Sequence, residues 1–450
     1  NAYILDTNLT IAGDLTLNAD NSAIVNATVS NAADSQASAL YGAGGSATSG
    51  ILSSNMVSSN AKAYIDFTAE KGSIAIIGKT DISAQDNASI FANAKVVSSS
   101  VTTNDGGASL VDEQISKRLD PDMFKKLSAP FAAEDEADEL IDENLGDAFQ
   151  IDFLSSDGSQ VLQFGDRVRL VADHSAGGDA NSTFTYMGNG ETVDLTHTDY
   201  TNLDFWKEDL ATQLVPQGLN ISDSDSRAIG GMVVRNDVRS TVESFVDNVT
   251  FITDAIEISA YENATIVALN DGTVISSGGS AYGSGESLAI NGIIATNLVL
   301  SSSNAYITNS DMTTSTGDLS IDAKNTSIVD ATTKSVTTTG DTAVGVTLAF
   351  NTIGWEAQNI LFQTVDAIIG TDIGDEKPSE VKAYIEDTKL NIAGNLSLNA
   401  ESTATLTSSV SNDATSAASA LVNASGMAVS GIISSNMVSS LAQAYINFTD

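Results

Sequence analysis

The chain is expected to be all-β, a parallel β-helix or β-solenoid interrupted by two insertions. Three observations lead there. Residues 2–68 align without a gap onto 383–449, a shift of 381, with about 40 of the 67 positions identical. Inside that super-repeat a shorter unit recurs, marked by a glycine, an asparagine five residues on and an aromatic fourteen residues on: Gly50/Asn55/Tyr64, Gly231/Asn236/Phe245, Gly292/Asn297/Tyr306 and Gly431/Asn436/Tyr445. Finally, the hydrophobic pattern alternates instead of following a helical period. Leu15, Leu17 and Ala19 face one way and Asp14, Thr16 and Asn18 the other; Ile256, Ile258 and Ala260 repeat the pattern, as do Leu319, Ile321 and Ala323. Period-two segments punctuated by Gly, Asn and Asp read as half-buried strands.

Successive aromatics Tyr3, Tyr64, Phe245, Tyr306 and Tyr384 are 61, 181, 61 and 78 residues apart. The super-repeat is therefore four 61-residue units with insertions of 120 and 17 residues. Apolar segments of four to seven residues suggest two or three coils per unit, hence a super-repeat of roughly 40–60 Å at the strand spacing. The general rule for parallel crossovers favours a right-handed coil. Both ends fall inside the pattern, so the segment is expected to be a window on a longer tandem array.

In chain order the expected organisation is β-solenoid over 1–106, an acidic helical insertion over 107–149, and a small inserted β-module with its return linker over 150–229. Solenoid resumes over 230–353, a short amphipathic helix occupies 354–381, and 382–450 opens the next super-repeat. The first helical segment places Ile115, Leu119, Phe124 and Leu127 on one stripe, and then Ala137, Leu140, Ile141 and Leu145. The second places Trp355, Ile360, Leu361, Val365 and Ile368 together.

Composition narrows function by exclusion. Asp and Glu number 58 against 19 Lys and Arg, a net charge of −39, which opposes nucleic-acid binding and docking on anionic membranes. There is no cysteine, so disulfide frameworks, thiolate metal sites and cysteine nucleophiles are absent. Apolar runs such as Thr265–Leu269 fall far short of the ~20 residues that span a bilayer.

The repeated Asn55, Asn236, Asn297 and Asn436, with Tyr64, Phe245, Tyr306 and Tyr445, read as structural ladders of stacked amides and rings. Phe184, Tyr186, Tyr200, Phe205 and Trp206 in the inserted module read either as a stacking platform for sugar rings or as that module's core. Asp173-His174-Ser175 and His197 invite a triad reading, but neighbours on one strand or loop cannot build triad geometry by themselves. Glu134–Glu139 read as a solvated acidic face. No cofactor is implied; calcium is a candidate unsupported by an EF-hand loop or a glycine-rich nonapeptide, with Asp223 and Asp225, and the turn Asn104–Gly107, as the nearest approach to a site.

GIISSNMVSSLAQAYI from Gly431 and NIAGNLSLNAES from Asn391 resemble the filamentous-haemagglutinin-like and other giant repetitive surface proteins of bacteria. The resemblance covers the solenoid units, roughly 300 residues. It implies an exported, surface-associated structural or adhesive protein and transfers no catalytic residue. The expectation is a non-catalytic, extracellular, cell-surface filament or adhesin stalk, partnered by further copies of its own repeat, by lateral self-association or by surface glycans. The alternatives are a glycan-binding module carried on the rod, a polysaccharide-degrading β-helix enzyme and a phage fibre. An enzyme groove would concentrate acids with Arg, Lys or His, whereas these coils are poor in such residues.

Overall fold

The computed structural model describes residues 1–38, 42–103, 151–163, 166–178, 180, 182–186, 191–202, 205–209, 223–278, 285–356, 375–416 and 425–449. Long runs of alternating burial dictate its character: most of the long strands hide every second side chain and turn the rest outward. The result is all-β, dominated by three parallel sheets with no closed barrel, compatible with a β-solenoid. No helix occurs among the described residues. The helical insertion expected over 107–149 lies outside them; of the helix expected over 354–381 the described ends are strand instead, Trp355–Glu356 pairing with Asp375–Glu376 and Val381 lying in Ser379–Glu386, while 357–374 lie outside the described residues.

The chain visits the three sheets in the same order at every level. The first, wide sheet contains Ala2–Leu5, Ala43–Asp66, Ser224–Asp247, Ser287–Thr308, Thr342–Ile353 with Ser379–Glu386, and Met427–Val438 with Ser440–Asn447. The second, narrow sheet contains Leu9–Ile11, Gly72–Ile76, Val249–Thr253, Asp311–Thr314 and Lys389–Asn391. The third, again wide, contains Leu15–Asn21 with Ile24–Ser38, Thr80–Asp86 with Ser89–Thr103, Ile256–Ser277, Leu319–Thr339 and Leu396–Ser416. Four corners from first to second sheet hold a residue in the left-handed region, Asp6, Asn248, Asn309 and Asp387, with φ between 46° and 54°. Asn and Asp tolerate that conformation better than other residues with a Cβ.

The register corrects the expected number of coils. Phe245 pairs with Tyr306, and every residue from Ser226 to Asp247 pairs with the residue 61 positions later. One 61-residue unit is thus one complete circuit, and the super-repeat spans four levels, about 19 Å at the ~4.8 Å strand spacing. The short apolar segments are pieces of much longer strands, such as the 24 residues of Ser224–Asp247 and the 22 of Ile256–Ser277. Inward-facing Ser, Asn and Thr interrupt the alternation of apolar residues without ending the strand.

The second insertion is also larger than the spacing of aromatics implies. Asn297 and Asn351 are register partners 54 residues apart, seven short of the unit, whereas Asn351 and Asn436 are 85 apart, 24 over it. A shortened corner between Thr339 and Thr342 and a longer excursion between Ile353 and Ser379 combine into the apparent 17 residues.

The first and third sheets face each other across the core. One apolar cluster includes Ala63, Ile65, Ile74, Ile82, Val246, Phe251, Ile258, Ile307 and Ile321; a second includes Ala88, Ile90, Val238, Ile266, Val299 and Val329. The described part of the inserted module has its own core of Leu162, Val168, Leu170, Phe184, Tyr186, Leu195, Tyr200 and Trp206. Its four-stranded sheet runs in the order Trp206–Asp209, Thr183–Tyr186, Arg167–Arg169, Phe153–Leu154, with only the last pair parallel; Ser159–Leu162 and Glu191–Asp194 form a separate hairpin-like pair. The module docks on the outside of the third sheet. There Arg167 Nη2 lies 3.3 Å from Asp271 Oδ2, and both side chains are nearly sealed from solvent. Residues 90–102 and 270–276 of that sheet are buried on both faces.

Candidate functional site

The most regular chemistry runs along the stacking direction of the first sheet. On its inner face Asn55 Nδ2 donates to Asn236 Oδ1 at 2.8 Å, Asn236 to Asn297 at 2.7 Å, Asn297 to Asn351 at 2.7 Å, and Asn351 to Asn436 at 2.8 Å. Each interior amide accepts from one neighbour and donates to the next, a pattern that in-register parallel strands permit. Asn351 is the rung absent from the sequence pattern. Val346 replaces the glycine five residues before it, and the second insertion removes the aromatic that should follow; alignment of Leu348–Asn351 with Ile294–Asn297 is the signal that reveals it.

On the outer face of the same sheet a column of six rings passes through Tyr3, Tyr64, Phe245, Tyr306, Tyr384 and Tyr445. Successive centroids are 4.8–5.3 Å apart and the planes lie within 10° of parallel. Strand spacing imposes this face-to-face arrangement, which an isolated ring pair would offset. Burial, the neighbouring Tyr445 ring and Glu386 push the Tyr384 phenol up to about 12. At the adjoining corner, burial raises the Asp66 carboxyl, helped by the charges of Asp247 and Asp6.

Beyond the amide column, on the side away from the rings, the outer face carries a shallow apolar groove of about 540 Å³. Gly50, Gly231 and Gly292 form its floor, and Leu52, Ile294 and Leu348 stand beside it. Val346 occupies the glycine position at the next level.

The aromatic residues of the inserted module are not a platform. Phe184, Tyr186, Tyr200 and Trp206 are all buried, and only Phe205 is exposed, at 40%. Trp206 packs at 4.5 Å from the Tyr200 ring and 5.2 Å from Tyr186. Tyr186 and Tyr200 direct their hydroxyls to Glu191 Oε1 and Leu195 O. A domain this small has few large residues and places them inside; the sugar-stacking reading therefore loses four of its five rings.

Nor do the histidines assemble a triad. His174 Nε2 lies 3.0 Å from Thr198 O, and His197 Nδ1 lies 2.9 Å from Asp194 Oδ2 in an exposed pair. The His197 hydrogen bond holds the Asp194 carboxyl below its ordinary value. No serine hydroxyl joins either ring among the described residues. Asp225 Oδ1 accepts the Glu286 N–H at 3.0 Å, and Asp223 stands exposed at the start of that strand. Among the described residues no three His, Asp or Glu side chains gather as a metal-binding group. The turn Asn104–Gly107 and the run Glu134–Glu139 lie outside the described residues.

The features that unite the chain are therefore stacking contacts repeated level after level. Comparison with protein-family models, with curated proteins and with solved structures finds no match for this chain.

Proposed function

We propose that this chain is a non-catalytic structural protein, a tandem-repeat β-solenoid segment of an extracellular or cell-surface filament. One observation carries the reading: contacts made by the first 61-residue circuit recur after 381 residues. Tyr3 pairs with Tyr64 and Tyr384 with Tyr445. The Asp6 carboxylate receives the Thr68 N–H and hydroxyl, and Asp387 receives those of Thr449. A surface that regenerates itself at a fixed shift can be extended by further copies, which is the physical requirement for a tandem array.

The mechanism is geometric. Backbone ladders, amide rungs and stacked rings give an axially continuous body, and its strong negative charge opposes lateral collapse at low ionic strength. The bacterial surface setting and the right-handed coil belong to this proposal through the resemblance and the crossover rule. Electron cryo-microscopy of the native full-length protein tests it. A continuous body with a super-repeat of about 19 Å and one projection per super-repeat is expected. A compact particle without axial periodicity would refute it.

A further inference from the structure

The interior between the two wide sheets is divided by a polar lane. Ala84 and Ala260 belong to the apolar cluster on one side, Ala88 and Ala264 to that on the other. Between them the third sheet presents, level by level, Asn21, Asp86, Glu262, Asn325 and Ser402 in register. Opposite stand Ser59, Ser240 and Ser301, themselves register partners on the first sheet, followed by Ser379.

At the Asn325 level the lane is saturated. Asn325 Nδ2 reaches Ser301 Oγ at 2.9 Å and Ser379 Oγ at 3.0 Å, while its Oδ1 accepts the Ser327 hydroxyl at 2.7 Å. At the two adjacent levels carboxylates replace the amide, and the donors run out. Asp86 and Glu262 are both 0% exposed. Glu262 Oε1 accepts the Ser240 hydroxyl. Glu262 Oε2, both carboxylate oxygens of Asp86 and Ser59 Oγ have no hydrogen-bond partner among the described residues. Burial raises the Asp86 carboxyl above its ordinary value, opposed by the nearby Ser59 and Asn21 side chains and the Asn87 backbone.

Two neighbouring buried carboxylates need a counter-charge, because isolated burial of an ionised group is prohibitively costly. Register partners on adjacent strands are separated by about 4.8 Å, so one ion can touch both side chains. Every available donor is an oxygen, which selects a hard cation, and the two carboxylates match a double charge. The geometry points to an interior calcium site between two levels of the stack, with Asp86 and Glu262 as its charged ligands and the Ser59 and Ser240 hydroxyl oxygens as donors from the opposite sheet. Calcium suits an irregular oxygen shell with few waters better than magnesium, which holds its hydration tightly. The flanking alanines supply only short side chains around the ion. Protons are the competing neutraliser, since burial pushes Glu262 up to about 9, helped by the charge of Asp86.

The test uses the full chain, stripped with a chelator and dialysed against radioactive calcium at neutral pH with excess magnesium and sodium chloride to occupy surface carboxylates. The native chain is expected to retain one calcium more than Asp86→Asn/Glu262→Gln, and its melting temperature to rise with calcium while that of the variant stays flat. Equal stoichiometry and equal melting shifts would assign calcium to the surface and overturn the site. The infrared band of a protonated carboxyl in the calcium-treated native chain, lost in Glu262→Gln, would also overturn it in favour of protons. Circular dichroism checks that the variant retains native strand content; if it does not, the infrared measurement on the native chain decides alone.

Discussion

Asn351 Nδ2 donates to Asn436 Oδ1 across 85 residues of sequence, and Asn351 Oδ1 accepts from Asn297, only 54 residues before it. Unequal spacing in sequence thus becomes equal spacing in the structure, and the amide column passes undisturbed through both a shortened corner and an excursion. An interior rung holds two such bonds, an end rung one. Asn297→Ala leaves the Asn236 amide without an acceptor and Asn351 without a donor, and should cost about 2 kcal/mol in chemical denaturation. Asn55→Ala, which breaks only its bond to Asn236, should cost about half as much. Equal losses at the two positions would mean that the ladder contributes no coupling.

The glycines of the first sheet separate into two kinds. A Cβ on Gly292 would meet nothing within 4 Å, and Val346 already occupies its register position one level on. A Cβ on inward-facing Gly230 would stand 2.5 Å from Val274 Cγ2. Gly292→Val should leave the unfolding midpoint within about 0.5 kcal/mol of the native chain, whereas Gly230→Ala should lose about 1–3 kcal/mol through overpacking. The reverse order would show that the open face is covered in solution.

Glu262 gives the stability of the calcium-free chain a particular pH dependence. Its folded pKa of about 9 lies above the ordinary 4.5, so the unfolded chain releases this proton first as pH rises. Stability from this group is therefore fully present below pH 4.5 and declines up to about pH 9, by at most about 1.4 kcal/mol per pH unit. In chelator, Glu262→Gln should gain on the native chain steadily across that window. Parallel pH profiles of the two proteins would contradict the burial of an acid there.

Docking of the inserted module should respond asymmetrically to mutation. Asp271 sits in register between Lys95 and Lys334 on the third sheet and also meets Arg167 from the module. Arg167→Met leaves Asp271 beside two lysines. Asp271→Asn withdraws the carboxylate that meets Arg167 and lies in register with both lysines, with Arg167 and Lys95 both under 10% exposed, and should cost about 3 kcal/mol, clearly more than the arginine variant. Protease resistance of residues 151–209 is the readout, and equal sensitivity of the two variants would refute the asymmetry.

The 61-residue period and most of the stacked columns were legible because parallel in-register strands place like residues over like. Gly50, Asn55 and Tyr64 recur as Gly231, Asn236 and Phe245 for that reason. Circuit length was not legible: alternation carries no mark of where a strand folds back, and polar inward residues such as Ser240 and Asn270 look like strand ends. The lane acids were hidden by expectation more than by pattern. Glu262 shares parity with Ile258, Ala260, Ala264 and Ile266, which places it inside, yet a glutamate in an alternating strand is ordinarily read as outward. The core role of Tyr186, Tyr200 and Trp206 could be suspected from domain size, but only their packing decides between core and platform.

One circuit per unit changes what the molecule is suited to do mechanically. Sixty-one residues, about 6 kDa, advance the stack by only ~4.8 Å, while a strand of 22–24 residues has a contour of about 75 Å across it. Material is invested in girth at the expense of reach. The resistance of a beam to bending rises steeply with its breadth, so a polymer of this unit would behave as a stiff plank, with one broad direction that hardly bends and one thin direction that yields first.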